Sequence, residues 1–386
     1  LAKRIAILGS TGSIGCNTLD VIEALGPGYH VTALSAHRNA DKLLEQVRRC
    51  RPAAVALSEQ SPDPAVVAEL RRMDVAVHIG SAGLVELATR EDVDVVVAAV
   101  VGAAGLPAVL AAVRAGKTLA LANKESLVVA GSLLMSEARS RGVAVLPIDS
   151  EHSAIFQAMR CGAGREVARI ILTASGGPFR TWSAEQIEHA TLEDALRHPT
   201  WRMGNKVTID SATMFNKALE IIEAHWLFDL PAEKIRVMVH PESVVHSMVE
   251  FVDGSVLAQL SPPDMRTPIQ YALTYPERSP GPARKMDWSQ KLALHFEPPD
   301  PARFPALRLA FDAVRAGGTM GAVLNAANEA AVEAFTSGKA SFGEISRLVE
   351  FTMSRHAVRS QPALEELLEA DQWARRVVAD RVGGVS

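Results

Sequence analysis

Arg4-Ile-Ala-Ile-Leu8 runs directly into Gly9-Ser-Thr-Gly12-Ser-Ile-Gly15, and a helical pattern follows through Leu25. A short apolar run bounded by glycines reads as a buried strand. Glycines at the start of the next helix let backbone approach a pyrophosphate, whose charge the free N–H groups of the helix start favour. The spacing is G-x-x-G-x-x-G rather than the usual G-x-G-x-x-G, so taken alone the loop also suits a plain glycine-rich turn. Its position says more. β-branched runs go on alternating with helical patterns at His30 to Ser35, Ala53 to Leu57, Val75 to Ile79, Val93 to Val101, Thr118 to Ala122 and Val143 to Ile148. That rhythm means βαβ units: a parallel sheet with helices on both faces and ligands beyond the carboxyl ends of the strands.

The pattern changes from Ala168 onward. Ile170 to Thr173, Ile235 to Val239, Ser247 to Val252 and Ser255 to Gln259 read as strands, the last two as a hairpin across Asp253-Gly254. Prolines crowd the stretch from Tyr275 to Pro305 and make it a connector. Helical patterns alone follow, at Ala306 to Ala316, Gly321 to Thr336, Phe342 to His356 and Ala363 to Val382, with Ser341 and Glu344 spaced as a capping box. The expected fold class is α/β in four segments. These are a Rossmann-like parallel sheet (1–148), a central mixed α/β domain (149–283), a proline-rich connector (284–305) and a C-terminal helical bundle (306–386).

Composition narrows the function classes. The chain has 386 residues, 48% hydrophobic and 22% charged, values of an ordinary globular protein with more than one core. A net charge of −4 without a long basic run gives no reason to expect nucleic acid or an anionic membrane as a partner. Cys16, Cys50 and Cys161 are odd in number and far apart, which indicates neither a disulfide framework nor a zinc cluster and fits a reducing cytoplasm. Strand-like sequence by Ile5 leaves no room for a signal or transit peptide in the sequence as it stands. The apolar stretch from Val95 to Val113 is broken by Gly102-Ala-Ala-Gly-Leu-Pro107 and reads as a buried strand followed by a helix.

Two places carry chemistry. At the end of the second strand, where NAD enzymes usually place an acid for the ribose diol, stands Ala36-His37-Arg38-Asn39. Arg38 would welcome a 2′-phosphate, which points to NADPH rather than NADH; a plain surface arginine is the competing reading. Behind the apolar run Val143 to Pro147 comes Ile148-Asp149-Ser150-Glu151-His152-Ser153. If strand geometry persists, Asp149 and Glu151 leave on one face and can reach one cation, and all-oxygen ligation suits magnesium or manganese. The same hexapeptide would also serve as a polar loop with an ordinary helix cap.

Beyond these two places the chain closely resembles the 1-deoxy-D-xylulose 5-phosphate reductoisomerase family, nearly end to end. The resemblance rests on Gly9 to Gly15, Asn123-Lys-Glu125, Asp149-Ser-Glu-His152, Ala174-Ser-Gly-Gly-Pro-Phe179 and His198-Pro-Thr-Trp-Arg-Met-Gly204. It continues through Asp210-Ser-Ala-Thr-Met-Phe-Asn-Lys217 with Glu220, and Pro262-Pro-Asp-Met-Arg266. It departs from the family pattern at Arg202, where a small residue is frequent, at Ala218, where glycine is, and at His37-Arg38-Asn39, where a Gly-Lys-Asn type turn is.

The resemblance implies an NADPH- and metal-dependent enzyme that rearranges a ketose phosphate into a branched aldehyde and then reduces it. Whether by retro-aldol and aldol steps or by a 1,2-shift, the residues do not say. It implies Asp149, Glu151 and Glu220 as ligands of Mg²⁺ or Mn²⁺, and Lys124, Asp149, Glu151, His198 and Glu220 as the catalytic set. Substrate contacts would come from Lys124, Ser150, Glu151, Ser175, His198, Trp201, Ser211, Asn216, Lys217 and Glu220, with Ser175, Ser211, Asn216 and Lys217 on the phosphate. Cofactor contacts would come from Thr11, Gly12, Ser13, Ile14, Ala36, Arg38, Asn39, Asn123, Glu125 and Gly204.

His198, Trp201 and Met203 resemble the family's mobile flap. His152 either orients a ligand or caps a helix, and Met265 either neighbours the nicotinamide or simply packs. A homodimer through the central domain is implied as well. Two other readings stay open at the level of residues: another NADP-linked dehydrogenase of similar layout, and a nucleotide-sensing module without catalysis.

Overall fold

The computed structural model describes residues 2–201 and 203–384. The chain divides into two units: Leu1–Ser126 with Leu134–Ser153 and Asp264–Lys285, and Leu127–Leu133 with Ala154–Pro263 and Met286–Ser386.

The first unit is built on seven parallel strands, β1 (Lys3–Leu8), β2 (Tyr29–Ala36), β3 (Ala54–Leu57), β4 (Ala76–Ile79), β5 (Val95–Ala98), β6 (Thr118–Leu121) and β7 (Val145–Pro147). Their order is β4-β3-β2-β1-β5-β6-β7. Helices α1 (Ser13–Leu25), α2 (Ala40–Cys50), α3 (Pro64–Arg72), α4 (Ser81–Thr89), α5 (Leu106–Arg114) and α6 (Lys124–Arg141) make the crossovers. Strands β3 and β5 are buried at every position, as a parallel sheet covered on both faces requires.

Strand β5 is shorter than the apolar run Val93 to Val101 suggests. The chain bends away after Ala99, and Asn123 Nδ2 holds the bend by donating to the carbonyls of Val100 (2.8 Å) and Gly102 (2.9 Å).

Strand order reverses at β1, which has β2 on one side and β5 on the other, and a crevice for a ligand opens at such a switch point. The glycine loop lies there. Gly9 has φ +86°, and a Cβ on it would sit 2.6 Å from the carbonyl oxygen of Ala99, just past the end of β5. A Cβ on Gly15 would lie 2.4 Å from Cα of Ser10. Two of the three glycines thus answer close backbone approaches.

Helix α12 (Arg266–Thr274) belongs to this unit, whereas the sequence grouped it with the central segment. It packs on α1 with Ile269, Ala272 and Leu273 buried, and Lys3 Nζ donates to the Leu273 carbonyl at 2.7 Å. Such a contact spans 270 residues and leaves no local trace in sequence.

The second unit has a mixed sheet in the order β11-β10-β8-β9, from β8 (Val167–Ala174), β9 (Ile235–Val239), β10 (Val245–Phe251) and β11 (Val256–Leu260). The expected hairpin joins β10 to β11, with Gly254 at φ +86° and Ser255 N donating to Asp253 Oδ1 at 2.9 Å. Helix α7 (Ser150–Ala158) starts in the first unit and ends in the second. Helices α8 (Ala184–Glu188), α9 (Leu192–Ala195), α10 (Asn205–Ala212) and α11 (Phe215–Phe228) follow. The connector's one pairing among the described residues is the bridge from Glu297 to Val239.

The helical bundle consists of α13 (Ala306–Ala316), α14 (Met320–Thr336), α15 (Glu344–Ser354) and α16 (Leu364–Gly383). Helix α14 is buried nearly all round, the mark of a central bundle helix. Ser341 N and Oγ both donate to Glu344 Oε2, at 2.6 and 2.9 Å, but Ser341 Oγ accepts no bond in return and α15 starts at Glu344, so the pair closes the turn ahead of the helix.

Because Gly9 combines positive φ with a close carbonyl, Gly9→Ala should lower stability by more than about 1 kcal/mol. Chemical denaturation tests this, and an unmoved midpoint would show that the backbone at the switch point can yield.

Candidate active site

The residues expected to meet the cofactor, Gly204 apart, lie in the first unit. Gly12 precedes α1 without a side-chain cap, so the first N–H groups of that helix lack side-chain acceptors, the arrangement that a pyrophosphate completes. Thr11, Gly12, Ser13 and Ile14 all lie on this turn and are at least partly accessible. Behind it, Ser10 Oγ donates to Gln46 Oε1 (2.6 Å), Gln46 Nε2 donates to the Ser10 carbonyl (2.8 Å), and Gly9 N donates to Ser35 Oγ (2.9 Å). The loop is thereby tied to α2 and to the end of β2.

Ala36 ends β2 and is buried, and Asn39 Oδ1 caps α2 by accepting from Lys42 N at 3.2 Å. Between them Arg38 reaches outward, 78% exposed, with Nε 3.5 Å from Glu59. Its guanidinium is free to turn to an anion. Asn123 and Glu125 follow β6: Glu125 Oε2 accepts from Asn123 Nδ2 (2.9 Å) and Oε1 from Gly102 N (3.2 Å). Met265 is half-buried just before α12.

Strand geometry does not persist into Asp149 and Glu151. Strand β7 stops at Pro147 and α7 begins at Ser150, so the shared-face spacing does not apply. Instead Asp149 stands just ahead of the helix, its carbonyl accepting from Ser153 N at 2.8 Å, while Glu151 lies in the first turn and accepts from Ser150 Oγ at 2.6 Å. Burial alone would push the Asp149 pKa up. The Lys124 ammonium, 2.5 Å from its Oδ2, outweighs that with help from His152 and Glu151 and holds the carboxyl well below the ordinary range. His152 does not cap: it is the third residue of α7, fully buried, with Nδ1 3.8 Å from Asp149 Oδ1. That position supports the orienting alternative.

The other predicted residues lie in the second unit. Ser175 follows β8 in a turn with Gly176 and Gly177 at positive φ, and a Cβ on Gly177 would lie 2.5 Å from the Ser211 carbonyl oxygen. Glycine thus seats the Ser175 turn on the end of α10. Met214, with φ +63°, breaks the chain between α10 and α11, a strained position of the kind that clusters at sites. Ser211 stands before the break, and Asn216 and Lys217 stand in the first turn of α11, where the helix dipole favours an anion. Glu220 is 1% exposed, accepts from Asn216 Nδ2 at 2.6 Å and pairs with the Lys217 ammonium. The expected shared face of Lys217 and Glu220 is therefore present.

His198 organises the segment up to Gly204. Its Nδ1 accepts from Thr200 N (3.1 Å) and Trp201 N (2.9 Å), so the proton belongs on Nε2, which donates to Ser175 Oγ at 3.0 Å. Burial lowers the His198 pKa. Trp201 is half-buried, its ring centroid 6.4 Å from that of His246, and Met203 is half-buried too. Gly204 caps α10; Arg202 lies outside the described residues.

Sequence reading missed Gln46, Asp210 and Asn328, all buried. The one available signal was polarity on an apolar face, as for Gln46 beside Leu43 and Val47. Their partners, 36 and 118 residues away, could not be read.

Comparison with known proteins covers the whole chain. Family models described as 1-deoxy-D-xylulose 5-phosphate reductoisomerase, its C-terminal domain and DXP reductoisomerase C-terminal domain match residues 5–131, 145–228 and 260–377. The 1-deoxy-D-xylulose 5-phosphate reductoisomerase of Heliobacterium modesticaldum is 52% identical over 385 residues, 99% of this chain and 98% of that protein. A crystal structure of DOX-P reductoisomerase in complex with NADPH, fosmidomycin and magnesium superposes with TM-score 0.93 at 41% identity, covering 99% of this chain and 98% of the other. The enzyme from Zymomonas mobilis in complex with NADPH gives TM-score 0.91 at 44% identity, with 99% of both chains covered.

The imidazole of His198 yields a pH prediction. Its folded pKa lies below the unfolded value of about 6.5, so its contribution is fully present above about pH 6.5 and is lost as pH falls through the lowered folded value. The melting-temperature difference between wild type and His198→Asn should be constant above about pH 6.5 and shrink below it. A difference that stays flat in acid would show that His198 has no shifted proton equilibrium.

Proposed function

The chain belongs to the 1-deoxy-D-xylulose 5-phosphate reductoisomerase family, and from that premise we propose that it converts 1-deoxy-D-xylulose 5-phosphate to 2-C-methyl-D-erythritol 4-phosphate. The reaction uses NADPH and a divalent metal ion and serves non-mevalonate isoprenoid biosynthesis. One observation in the structure supports it above the others. Glu220 is a buried carboxylate on the same helix turn as Asn216 and Lys217, which a simple dehydrogenase or a nucleotide sensor does not need.

NADPH would supply the hydride, and a hard cation such as Mg²⁺ or Mn²⁺ would polarise the substrate carbonyl and acidify the adjacent hydroxyl. Asp149, Glu151 and Glu220 would hold that ion. The fit is chemical: all three offer oxygen only, and Asp149 is kept ionised. Thr11 to Ile14 would take the cofactor pyrophosphate on the uncapped start of α1, and Arg38 with Asn39 and Ala36 the 2′-phosphate end. Asn123 and Glu125 form the floor on the nicotinamide side, and Gly204 is proposed to touch the cofactor as well.

Ser175, Ser211, Asn216 and Lys217 would bind the substrate phosphate through hydroxyl, amide and ammonium donors. Lys124 and Ser150 would hold the substrate oxygens, and Glu151 would move a proton there. His198, Trp201 and Met203 would close over the substrate and keep water from the aldehyde. Dimerisation through the central sheet is supported by β11, an edge strand with Val256 and Leu257 exposed beside Val252. Among the described residues no helix is long and apolar enough to cross a membrane. A cytoplasmic site of action is supported by cysteines that form no disulfide.

NADPH oxidation should require both 1-deoxy-D-xylulose 5-phosphate and added magnesium or manganese. Metal-independent turnover, or activity on an ordinary keto acid instead, would reject the assignment. Glu220→Gln should lower kcat by on the order of 100-fold or more while NADPH fluorescence still reports binding. A rate near wild type would remove Glu220 from the metal site.

A further inference from the structure

Asp210 is a buried carboxylate of the second unit, 2% exposed, on the helix that also carries the proposed phosphate donor Ser211. Helix α10 begins at Asn205, directly after the proposed flap, and carries Ser211 near its end. One Asp210 oxygen pairs with the ammonium of Lys206, one turn earlier on the same helix. The other accepts a bond of 2.9 Å from Nδ2 of Asn328, which belongs to the bundle helix α14. The bundle therefore grips α10 by its carboxylate.

Asn328 is fully buried, and its own carbonyl oxygen Oδ1 has no hydrogen-bond partner. A buried amide with an orphaned acceptor costs stability on its own account, so its place in the core of α14 calls for a reason. What the asparagine adds is its single directed bond to Asp210, and that bond fixes where α10 lies. The same end of α10 is met a second time, by the close approach of Gly177 to the Ser211 carbonyl. The bond and the close approach thus fall on neighbouring residues at the Ser211 end, and the Lys206–Asp210 pair carries the hold back one turn toward the flap junction.

We propose that Asn328 is a positioning residue for substrate: through Asp210 it seats α10, and so sets Ser211 and the base of the flap for the phosphorylated substrate. This rests on the function proposed above.

The test compares purified full-length variants with wild type, whose own turnover of 1-deoxy-D-xylulose 5-phosphate checks the underlying reading separately. Asn328→Leu leaves one Asp210 oxygen without its donor, so it should melt lower by a few degrees, and it should keep its NADPH dissociation constant. Its KM for the sugar phosphate should rise by tenfold to about 100-fold, with a smaller fall in kcat. Wild-type KM in this variant, or an equal loss of NADPH affinity, would overturn the proposal. Should the leucine variant fold poorly, Asp210→Asn alone and the exchange pair Asp210→Asn with Asn328→Asp decide. The single change should raise KM and the exchange should recover most of the loss. An exchange no better than the single variant would count against the pair as the positioning contact.

Discussion

A carboxylate taken out of water has to meet positive charge within a few ångströms or give up its own. Three such groups, Asp149, Asp210 and Glu220, each lie against a lysine of their own unit: Lys124, Lys206 and Lys217. The consequence is chemical before it is structural. At Asp149, where Lys124 holds the carboxyl well below its ordinary range, the oxygens can pass to a harder cation without first losing a proton. The pairing at Asp149 follows from the sheet. Lys124 opens the helix after β6, Asp149 comes just after β7, and these strands pair side by side with Leu121 opposite Pro147. Adjacent carboxyl ends of parallel strands are therefore enough to bring ammonium and carboxylate together.

Where charge does not decide the geometry, close backbone contact does. Gly9 meets Ala99 beside the switch point, and Gly177 meets Ser211 beside the proposed phosphate donors. At both places a side chain would force apart two segments that must touch for their loops to face a ligand. Met214 adds a bend that no glycine supplies, and its left-handed backbone is the strain expected where one helix must stop so that the next can start its free N–H groups nearby.

The parts of this architecture that were legible in sequence are those with a local cause. The βαβ rhythm, the Asp253-Gly254 hairpin and the limits Ala306 to Ala316 of α13 are set by periodicity and turn chemistry within a few residues. Lys217 and Glu220 could be read as neighbours for the same reason, a spacing of three on one helix. Asp149 and Glu151 do offer oxygens within 4.8 Å of each other, but not by the geometry that was read for them. The spacing of two was read with strand periodicity, but a helix begins between them, and an apolar run does not show where it stops being a strand. The grip of Gln46 on Ser10, of Asn328 on Asp210 and of Lys3 on α12 all join residues distant in sequence, and a polar side chain on a buried face announces only that a partner exists.

The described residues of the segment from His198 to Gly204 lie between well-held helices. It follows α8 and α9, helices of five and four residues, too short to persist by propensity and held instead by capping boxes at Ser183 with Gln186 and Thr191 with Asp194. It precedes α10, held at Asp210 and Ser211. Between these ends, among the described residues, the His198 imidazole gathers the N–H groups of Thr200 and Trp201 on its Nδ1. So few bonds between firm anchors suit the segment to the lid proposed for it.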